Sequence, residues 1–185
     1  MPKIPLIIGL TGTNASGKGT VADYLKSLGF EYHSLSDVIR DELASKNIPA
    51  TRENLISEGN RLRDQFGASI LAKRIIEKTS NRNTVIDSIR NTKEVLEFRK
   101  LKNFIFISVD SPIEIRYERA KKRGRAENAS SLEEFKAIEA REASKNSNEQ
   151  QIDKCIKMAD FKIVNEGTKE ELNEKIAKIV KSRKG

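Results

Sequence analysis

Short apolar runs alternate along this chain with longer segments whose apolar residues recur every three to four positions. The short runs predict five strands: Ile4–Leu10, Glu31–Ser34, Thr84–Asp87, Asn103–Asp110 and Phe161–Asn165. The helical period predicts helices over Gly19–Leu28, Ser36–Lys46, Glu53–Phe66, Ile70–Lys78, Lys93–Lys100, Pro112–Lys122, a polar stretch from Ser131 to about Met158, and Lys169–Lys181. Because strands and helices alternate, the pattern predicts a three-layer α/β fold around a parallel sheet of about five strands.

Two segments interrupt the alternation. Residues 36–80 contain several helical patterns before the next strand, and residues 123–158 are polar and helical with no strand. Both are too short to be separate domains, so we expect one domain over residues 1–185 with two helical insertions. Insertions at a sheet edge are typical places for substrate-binding elements and lids.

The first strand leads into a glycine-rich loop, Gly12-x-x-x-x-Gly17-Lys18, which opens a helix. Glycines at this spacing let backbone N–H groups point at phosphate oxygens, and the helix N-terminus adds positive potential. A lysine at the end of the loop reaches the β and γ phosphates of a nucleotide triphosphate. The predicted ATP-binding residues here are Gly12, Asn14, Ala15, Ser16, Gly17, Lys18, Gly19 and Thr20.

The residues after the lysine carry a resemblance to a known family. Gly17-Lys18-Gly19-Thr20 resembles the loop of adenylate kinase and its nucleoside monophosphate kinase relatives. The resemblance implies a P-loop NTPase fold, ATP as the phosphoryl donor and Mg²⁺ as the cofactor. In that family the threonine contacts phosphate and magnesium is held largely through water, so Thr20 is the weaker metal candidate.

The next segment, "SLSDVIRDEL", places Asp37 and Arg40 one helical turn apart at the end of the second strand. It resembles the adenylate-kinase segment that binds the acceptor monophosphate, although Ser36 replaces a glycine. The resemblance assigns acceptor binding to Asp37 and Arg40. Arginines between residues 52 and 67 are further candidates, and of these Arg63 is included in the predicted acceptor site.

"TVIDSIRN" ends a strand on Asp87, with Arg90 just beyond it. Ligands of open α/β sheets bind at the carboxyl ends of the strands, where an aspartate can hold the waters around magnesium. The segment resembles the Asp-Gly-x-x-Arg of nucleoside monophosphate kinases with Ser88 in place of glycine. Asp87 is therefore the metal candidate, through water, and Arg90 an acceptor ligand.

A third group of arginines follows Pro112. The segment "IEIRYERAKKRGR" resembles the lid hinge of these kinases, in which arginines cover the ATP phosphates. The resemblance assigns catalysis, together with Lys18 and Asp87, to Arg119 and Arg123, and lid contacts to Arg125 and Arg141. Arginine suits this task because its planar fork binds phosphate oxygens in pairs.

The last strand and helix, "ADFKIVNEGTKEEL", resemble the C-terminal end of dephospho-coenzyme A kinase, which puts Asn165 and Gly167 near the nucleotide base. The phrases "SDVIRDEL", "TRENL", "NRLRDQFG" and "IDSIRN" resemble an archaeal family of adenylate-kinase-related proteins. That likeness implies phosphoryl transfer and leaves the acceptor open.

Charge and composition narrow the ligand classes. The net charge is +8, from 35 Lys and Arg against 27 Asp and Glu, but there is no Trp and there are three Tyr to stack on single-stranded bases. We therefore expect small nucleotide substrates rather than nucleic acid. No apolar run reaches the roughly 20 residues that span a bilayer, so no membrane partner is expected. The single cysteine, Cys155, favours a reducing cytoplasm.

The sequence thus predicts an ATP- and Mg²⁺-dependent kinase that transfers the γ-phosphoryl group to a nucleotide acceptor, with a nucleoside monophosphate as the first choice. Dephospho-coenzyme A kinase is the nearest alternative. An alternative of another class is a nucleotide-dependent regulatory or RNA-associated ATPase that uses the positive charge as a binding surface.

Overall fold

The computed structural model describes residues 4–122, 129–142 and 151–183, except the side chains of residues 141 and 142. Five strands are present in these residues: β1 (Ile7–Thr11), β2 (Glu31–Ser34), β3 (Thr84–Asp87), β4 (Phe104–Asp110) and β5 (Phe161–Val164). The helices are α1 (Lys18–Ser27), α2 (Leu35–Ser45), α3 (Arg52–Phe66), α4 (Ile70–Ile76), α5 (Thr92–Phe98), α6 (Ile113–Lys122), α7 (Leu132–Glu142), α8 (Ile152–Met158) and α9 (Lys169–Arg183).

The strands form one parallel sheet in the order β2-β3-β1-β4-β5. The central strand β1 lies between β3 and β4, which come later in the chain. Because all strands run the same way, their carboxyl ends meet at one edge. The loop that follows β1 therefore emerges between the ends of β3 and β4, at Asp87 and Asp110.

Helices cover both faces of the sheet, which confirms the predicted three-layer α/β architecture. On one face, α1 and α9 pack through residues such as Leu25 and Ile176 against Ile8 and Ile107 of the sheet. On the other face, α2 to α5 and α8 pack against strand residues that include Ile86 and Phe106. A continuous apolar core on each face holds the strand ends in a fixed arrangement.

Two boundaries differ from the sequence prediction. Strand β1 begins at Ile7 and not at Ile4, because Pro5 has no N–H to donate and the N–H of Leu6 donates to the Asn83 side chain at 2.8 Å. The single helical stretch predicted from Ser131 to about Met158 contains two separate helices, α7 and α8.

Helix α8 lies in the core, although the sequence placed it in the 123–158 insertion. Its Cys155 is fully buried in the apolar cluster of the second face. The N–H of Gln151, just before α8, donates to the carbonyl of Arg90, which attaches this helix to the turn after β3. Few apolar residues mark this segment, which is why the sequence pattern looked like an exposed insertion.

Helix α7 packs elsewhere. Its Phe135 and Ile138 form a small apolar cluster with Tyr117 of α6 and with Ala15 of the glycine-rich loop. This part of the insertion therefore covers the phosphate loop. None of the described helices combines the length and apolar character needed to cross a lipid bilayer.

The single cysteine makes the docking of α8 measurable. Burial raises the pKa of the Cys155 thiol to about 12, from its ordinary value of 9.0. Since only the thiolate reacts with disulfide reagents, we expect labelling of the folded protein to be at least about 1,000-fold slower than labelling of the urea-unfolded protein at pH 8. Labelling of the folded protein at a rate close to that of the unfolded chain would mean that α8 is not docked.

Candidate functional site

The glycine-rich loop between β1 and α1 has the backbone shape that its glycines permit. Gly12 and Gly17 have φ values of 134° and 112°, in the region that favours glycine. A Cβ on Gly12 would lie 1.9 Å from the carbonyl oxygen of Val109 in β4, and one on Gly17 would lie 2.3 Å from Nδ2 of Asn165. The loop therefore fits against its neighbours only when both positions are glycine.

Lys18 lies at the first turn of α1, and its ammonium group folds over the loop. Nζ donates to the carbonyl oxygens of Gly12 at 2.9 Å and Thr13 at 2.6 Å, which leaves one of its three N–H groups for a ligand. Burial lowers the pKa of Lys18 to about 8, while the nearby carboxylate of Asp87 opposes that shift. An anionic ligand beside Lys18 would therefore stabilise its protonated form.

Carboxylates lie on both sides of the loop. Thr13 Oγ1 donates to Asp110 at 2.6 Å, which ties the loop to the end of β4. On the other side, the N–H of Ser88 donates to the Asp87 carboxylate at 2.6 Å. Ser88 has a φ of 65°, so it adopts the left-handed conformation that a glycine at this position would take more easily.

A large cavity opens beside the loop. It has a volume of about 550 Å³ and is bounded by the loop, the end of β3 and the helices α2 and α3. Cationic side chains dominate its lining: Lys18, Arg40, Arg52, Arg63 and Arg90. Among the described residues that line it, Asp87 is the one carboxylate, and Leu35, Ile39, Leu55 and Ile56 give it an apolar part.

A second cavity, of about 300 Å³, lies on the other side of Gly17. Its lining includes Thr20, Arg119, Asn165 and Gly167, which the sequence assigned to ATP. Gly17 lines both cavities, so both adjoin the phosphate loop at this residue. We call them the loop cavity (about 550 Å³) and the C-terminal cavity (about 300 Å³).

Asn165 is a structural part of the C-terminal cavity. It is buried, and its Nδ2 donates to the carbonyl of Ser16 at 2.8 Å. Arg119 donates to the carbonyl oxygens of Asn165 at 3.3 Å and Ser16 at 3.5 Å. The segment after β5 and the helix α6 are thereby joined to the phosphate loop.

Helix α6 also contributes Arg116, which belongs to the arginine group after Pro112 but was given no role of its own from the sequence. This buried side chain donates to the carbonyls of Ser111 at 2.9 Å and Asn14 at 3.4 Å, and it forms an ion pair with Glu139 of α7. Arg116 therefore joins the phosphate loop to the helix that covers it. The signal in the sequence was only the helical spacing from Arg119.

Some predicted site residues do not line the loop cavity. Asp37 does not line the loop cavity; its exposed carboxylate accepts a hydrogen bond from Arg40 at 2.8 Å. Thr20 lines the C-terminal cavity, away from Asp87. Arg123 and Arg125 lie outside the described residues, as does the side chain of Arg141 in α7, so their roles stay predictions.

Arg52, at the start of α3, belongs to the arginines between residues 52 and 67 that the sequence offered as further acceptor candidates, and it lines the loop cavity. One residue behind the site was missed in the sequence. Glu94 is fully buried behind that cavity and is the third helical residue of a capping box with Asn91. The Asn-x-x-Glu spacing could have revealed the cap. Nothing in the sequence shows which arginine the carboxylate contacts.

The residues present fit a magnesium ion that retains its waters. The described residues contain no group of three or more His, Cys, Asp or Glu side chains able to hold a metal ion. Mg²⁺ in phosphoryl-transfer sites needs only one or two carboxylates, with water and substrate phosphates completing its shell. Asp87, on the loop cavity beside Lys18, offers such a carboxylate.

Comparison with known families identifies relatives of this chain. Residues 8–153 match a family described as an AAA domain. The UPF0200 protein PYRAB09750 of Pyrococcus abyssi is 34% identical over 184 residues, which cover 95% of this chain and 96% of that protein. The UPF0200/UPF0201 protein of Archaeoglobus fulgidus is 35% identical over 94% of this chain, which spans only 54% of that longer protein. The predicted likeness to an archaeal family is confirmed; specificity of the adenylate-kinase type is not shown.

Solved structures share the fold. TT1252 from Thermus thermophilus superimposes with a TM-score of 0.61 at 21% identity, over 97% of this chain and 98% of that one. Shikimate kinase from Acinetobacter baumannii superimposes with a TM-score of 0.59 at 13% identity, over 96% of this chain and 94% of that one. At these identities the likeness shows a common P-loop kinase fold and no more.

Two glycines of the loop provide a matched pair of variants. Gly12→Ala forces a methyl group against the Val109 carbonyl, so we expect it to lower the free energy of unfolding by about 3 kcal/mol or more. Gly19 lies in α1, where an added Cβ would have no described atom within 4 Å, so Gly19→Ala should raise it by up to about 1 kcal/mol. Urea unfolding followed by circular dichroism measures both. Equal effects of the two substitutions would contradict this loop geometry.

The lowered pKa of Lys18 predicts how nucleotide affinity depends on pH. Phosphate favours the protonated lysine, so its pKa is higher in the complex than the value of about 8 without ligand. The dissociation constant of a non-hydrolysable ATP analogue should be flat from pH 7 to near pH 8, then rise by up to about tenfold per pH unit. Calorimetric titration measures it. Lys18→Arg, which stays protonated, should show no such rise; the same inflection in that variant would contradict the assignment to Lys18.

Proposed function

The chain belongs to the UPF0200 family, and from that premise and the site geometry we propose that it is an ATP- and Mg²⁺-dependent kinase whose acceptor is a nucleoside monophosphate. The observation that carries this proposal is the pair of cavities that both adjoin Gly17. The C-terminal cavity is lined by Asn165 and Gly167, which were predicted to bind ATP. The loop cavity is lined by several arginines and by residues of the same phosphate loop. Two nucleotides meeting end to end at the loop would fill this arrangement.

The donor would occupy the C-terminal cavity, with its phosphates along the loop. Lys18 would bind the β and γ phosphates, where charge shifts during transfer. Arg119, half-buried and anchored to the carbonyls of Ser16 and Asn165, would add positive charge on the donor side. Mg²⁺, when bound, would offset negative charge on the phosphates, and Asp87 would hold its waters.

The acceptor would occupy the loop cavity. Arg40 and Arg90 line its walls, and the apolar part formed by α2 and α3 residues such as Ile39 and Leu55 would contact a base or ribose. The protein would act by alignment and by charge neutralisation, with no covalent intermediate. Helix α7, packed over Ala15, would keep water, a competing acceptor, away from the γ-phosphate.

An acceptor panel tests this function. The protein is incubated with Mg-ATP and one of a series of ribo- and deoxyribonucleoside monophosphates, dephospho-coenzyme A or shikimate, and products are identified by mass. We expect one class of nucleoside monophosphate to be phosphorylated. Lys18→Ala should lower the turnover number at least about 100-fold, because it removes the positive charge that would stabilise the phosphates during transfer.

The control is Lys26→Ala on the same helix. Lys26 is exposed and pairs with Asp23 at the end of α1, so its removal should leave turnover within twofold of wild type. Phosphorylation of dephospho-coenzyme A alone would move the assignment to that kinase. ATP hydrolysis that needs no acceptor and that RNA stimulates would favour the regulatory ATPase.

A further inference from the structure

A buried arginine forms part of the wall of the loop cavity. Arg63 of α3 is 2% exposed, and the carboxylate that it contacts, Glu94 of α5, is 0% exposed. Arg63 donates from Nε at 2.9 Å and from Nη2 at 2.8 Å to the same oxygen, Oε1 of Glu94. These two hydrogen bonds fix the orientation of the Arg63 guanidinium.

The remaining nitrogen of this guanidinium has no partner in the part of the chain that the structure describes. Among the described residues none accepts a hydrogen bond from Nη1 of Arg63, although that atom is buried and the residue lines the loop cavity. Buried donors of a charged group are rarely left unsatisfied, because each costs free energy. Because Arg63 lines the loop cavity, an anionic ligand bound there would supply the missing partner.

The second oxygen of Glu94 serves the neighbouring arginine. Its Oε2 accepts hydrogen bonds from the backbone N–H groups of Arg90 at 3.1 Å and Asn91 at 3.0 Å. One carboxylate thus orients the Arg63 guanidinium and holds the backbone that carries Arg90. Both arginines line the same cavity, so Glu94 fixes them relative to each other.

We propose that Arg63 binds the phosphate group of the acceptor through Nη1, and that Glu94 is the positioning residue for Arg63 and Arg90. This inference rests on the proposed kinase function and names the side chains that would bind and orient the phosphate monoester of its acceptor. The lining of the loop cavity contains several arginines and the carboxylate of Asp87, so its positive charges would attract a phosphate dianion. An uncharged alcohol would bring no negative charge to Nη1 of Arg63.

The first variant must remove the positive charge of Arg63 without leaving the Glu94 carboxylate buried and unpaired. The double variant Arg63→Met with Glu94→Gln achieves this, since the glutamine oxygen can still accept from the backbone at the start of α5. Arg63→Lys, which keeps the charge and lacks the fork, is the second variant in case the first does not fold. Arg61→Met is the control: Arg61 is on the same helix, does not line the cavity, and pairs with Glu58 at 2.7 Å.

The measurement separates the contribution of the phosphate group to the binding affinity from that of the nucleoside. Dissociation constants are measured by calorimetry for adenosine, cytidine, guanosine and uridine, for their monophosphates, and for a non-hydrolysable ATP analogue; unfolding in urea checks each variant. We expect the double variant to weaken monophosphate binding about 10- to 100-fold, with nucleoside and ATP-analogue binding within twofold of wild type. Arg63→Lys should show a smaller loss of the same kind, and Arg61→Met none.

A role for Glu94 as a positioning residue has its own readout. Glu94→Gln alone should raise the KM of the acceptor at least about fivefold, with a smaller change in kcat and none in the KM of ATP. Equal losses for nucleoside and monophosphate, or no loss for either, would overturn the inference and show that the Arg63–Glu94 pair only joins α3 to α5. So would wild-type protein that binds no phosphate monoester.

Failure of the kinase function gives a different result. If wild type binds monophosphates with Arg63-dependent affinity but transfers no phosphoryl group, the binding inference stands and the proposed function is wrong. If wild type phosphorylates a monophosphate and the Arg63 variants keep its KM and kcat, the function stands and the inference is wrong.

Discussion

The concentration of positive charge in one partly enclosed cavity is the constraint on which this site depends. Lys18 and the cavity arginines face each other with the carboxylate of Asp87 among them. Burial already lowers the pKa of Lys18 to about 8, which means that the protein alone does not fully compensate its charge. A ligand with several negative charges would supply the missing compensation, and this is the physical basis for proposing two phosphate-bearing substrates.

The fold holds the phosphate loop and the Arg63 side chain in place. Gly12 lets the loop approach β4 so closely that a Cβ would meet the Val109 carbonyl, and Glu94 holds Arg63 from behind. Preorganised donors bind anions without reordering at the moment of reaction. The apolar cores on both faces of the sheet keep these anchors in place.

Two contacts connect the site to the parts of the chain that cover it. Arg116 links the carbonyl of Asn14 in the phosphate loop to Glu139 of α7, and the N–H of Gln151 links α8 to Arg90. The segment predicted as one insertion therefore has two functions in the structure. Helix α7 covers the loop, whereas α8 completes the core behind the turn that carries Arg90.

Sequence alone determined the layer order, the parallel sheet and the phosphate loop, because each depends on local patterns: apolar runs, helical periods and glycines before a lysine. It also indicated Arg40, Arg63 and Arg90, which line one cavity. Only the tertiary structure showed that Asp37 does not line that cavity and that Glu94 contacts Arg63. Those two facts depend on how α2, α3 and α5 pack, since the contacting residues Arg63 and Glu94 are 31 positions apart and no local pattern records which side chains meet.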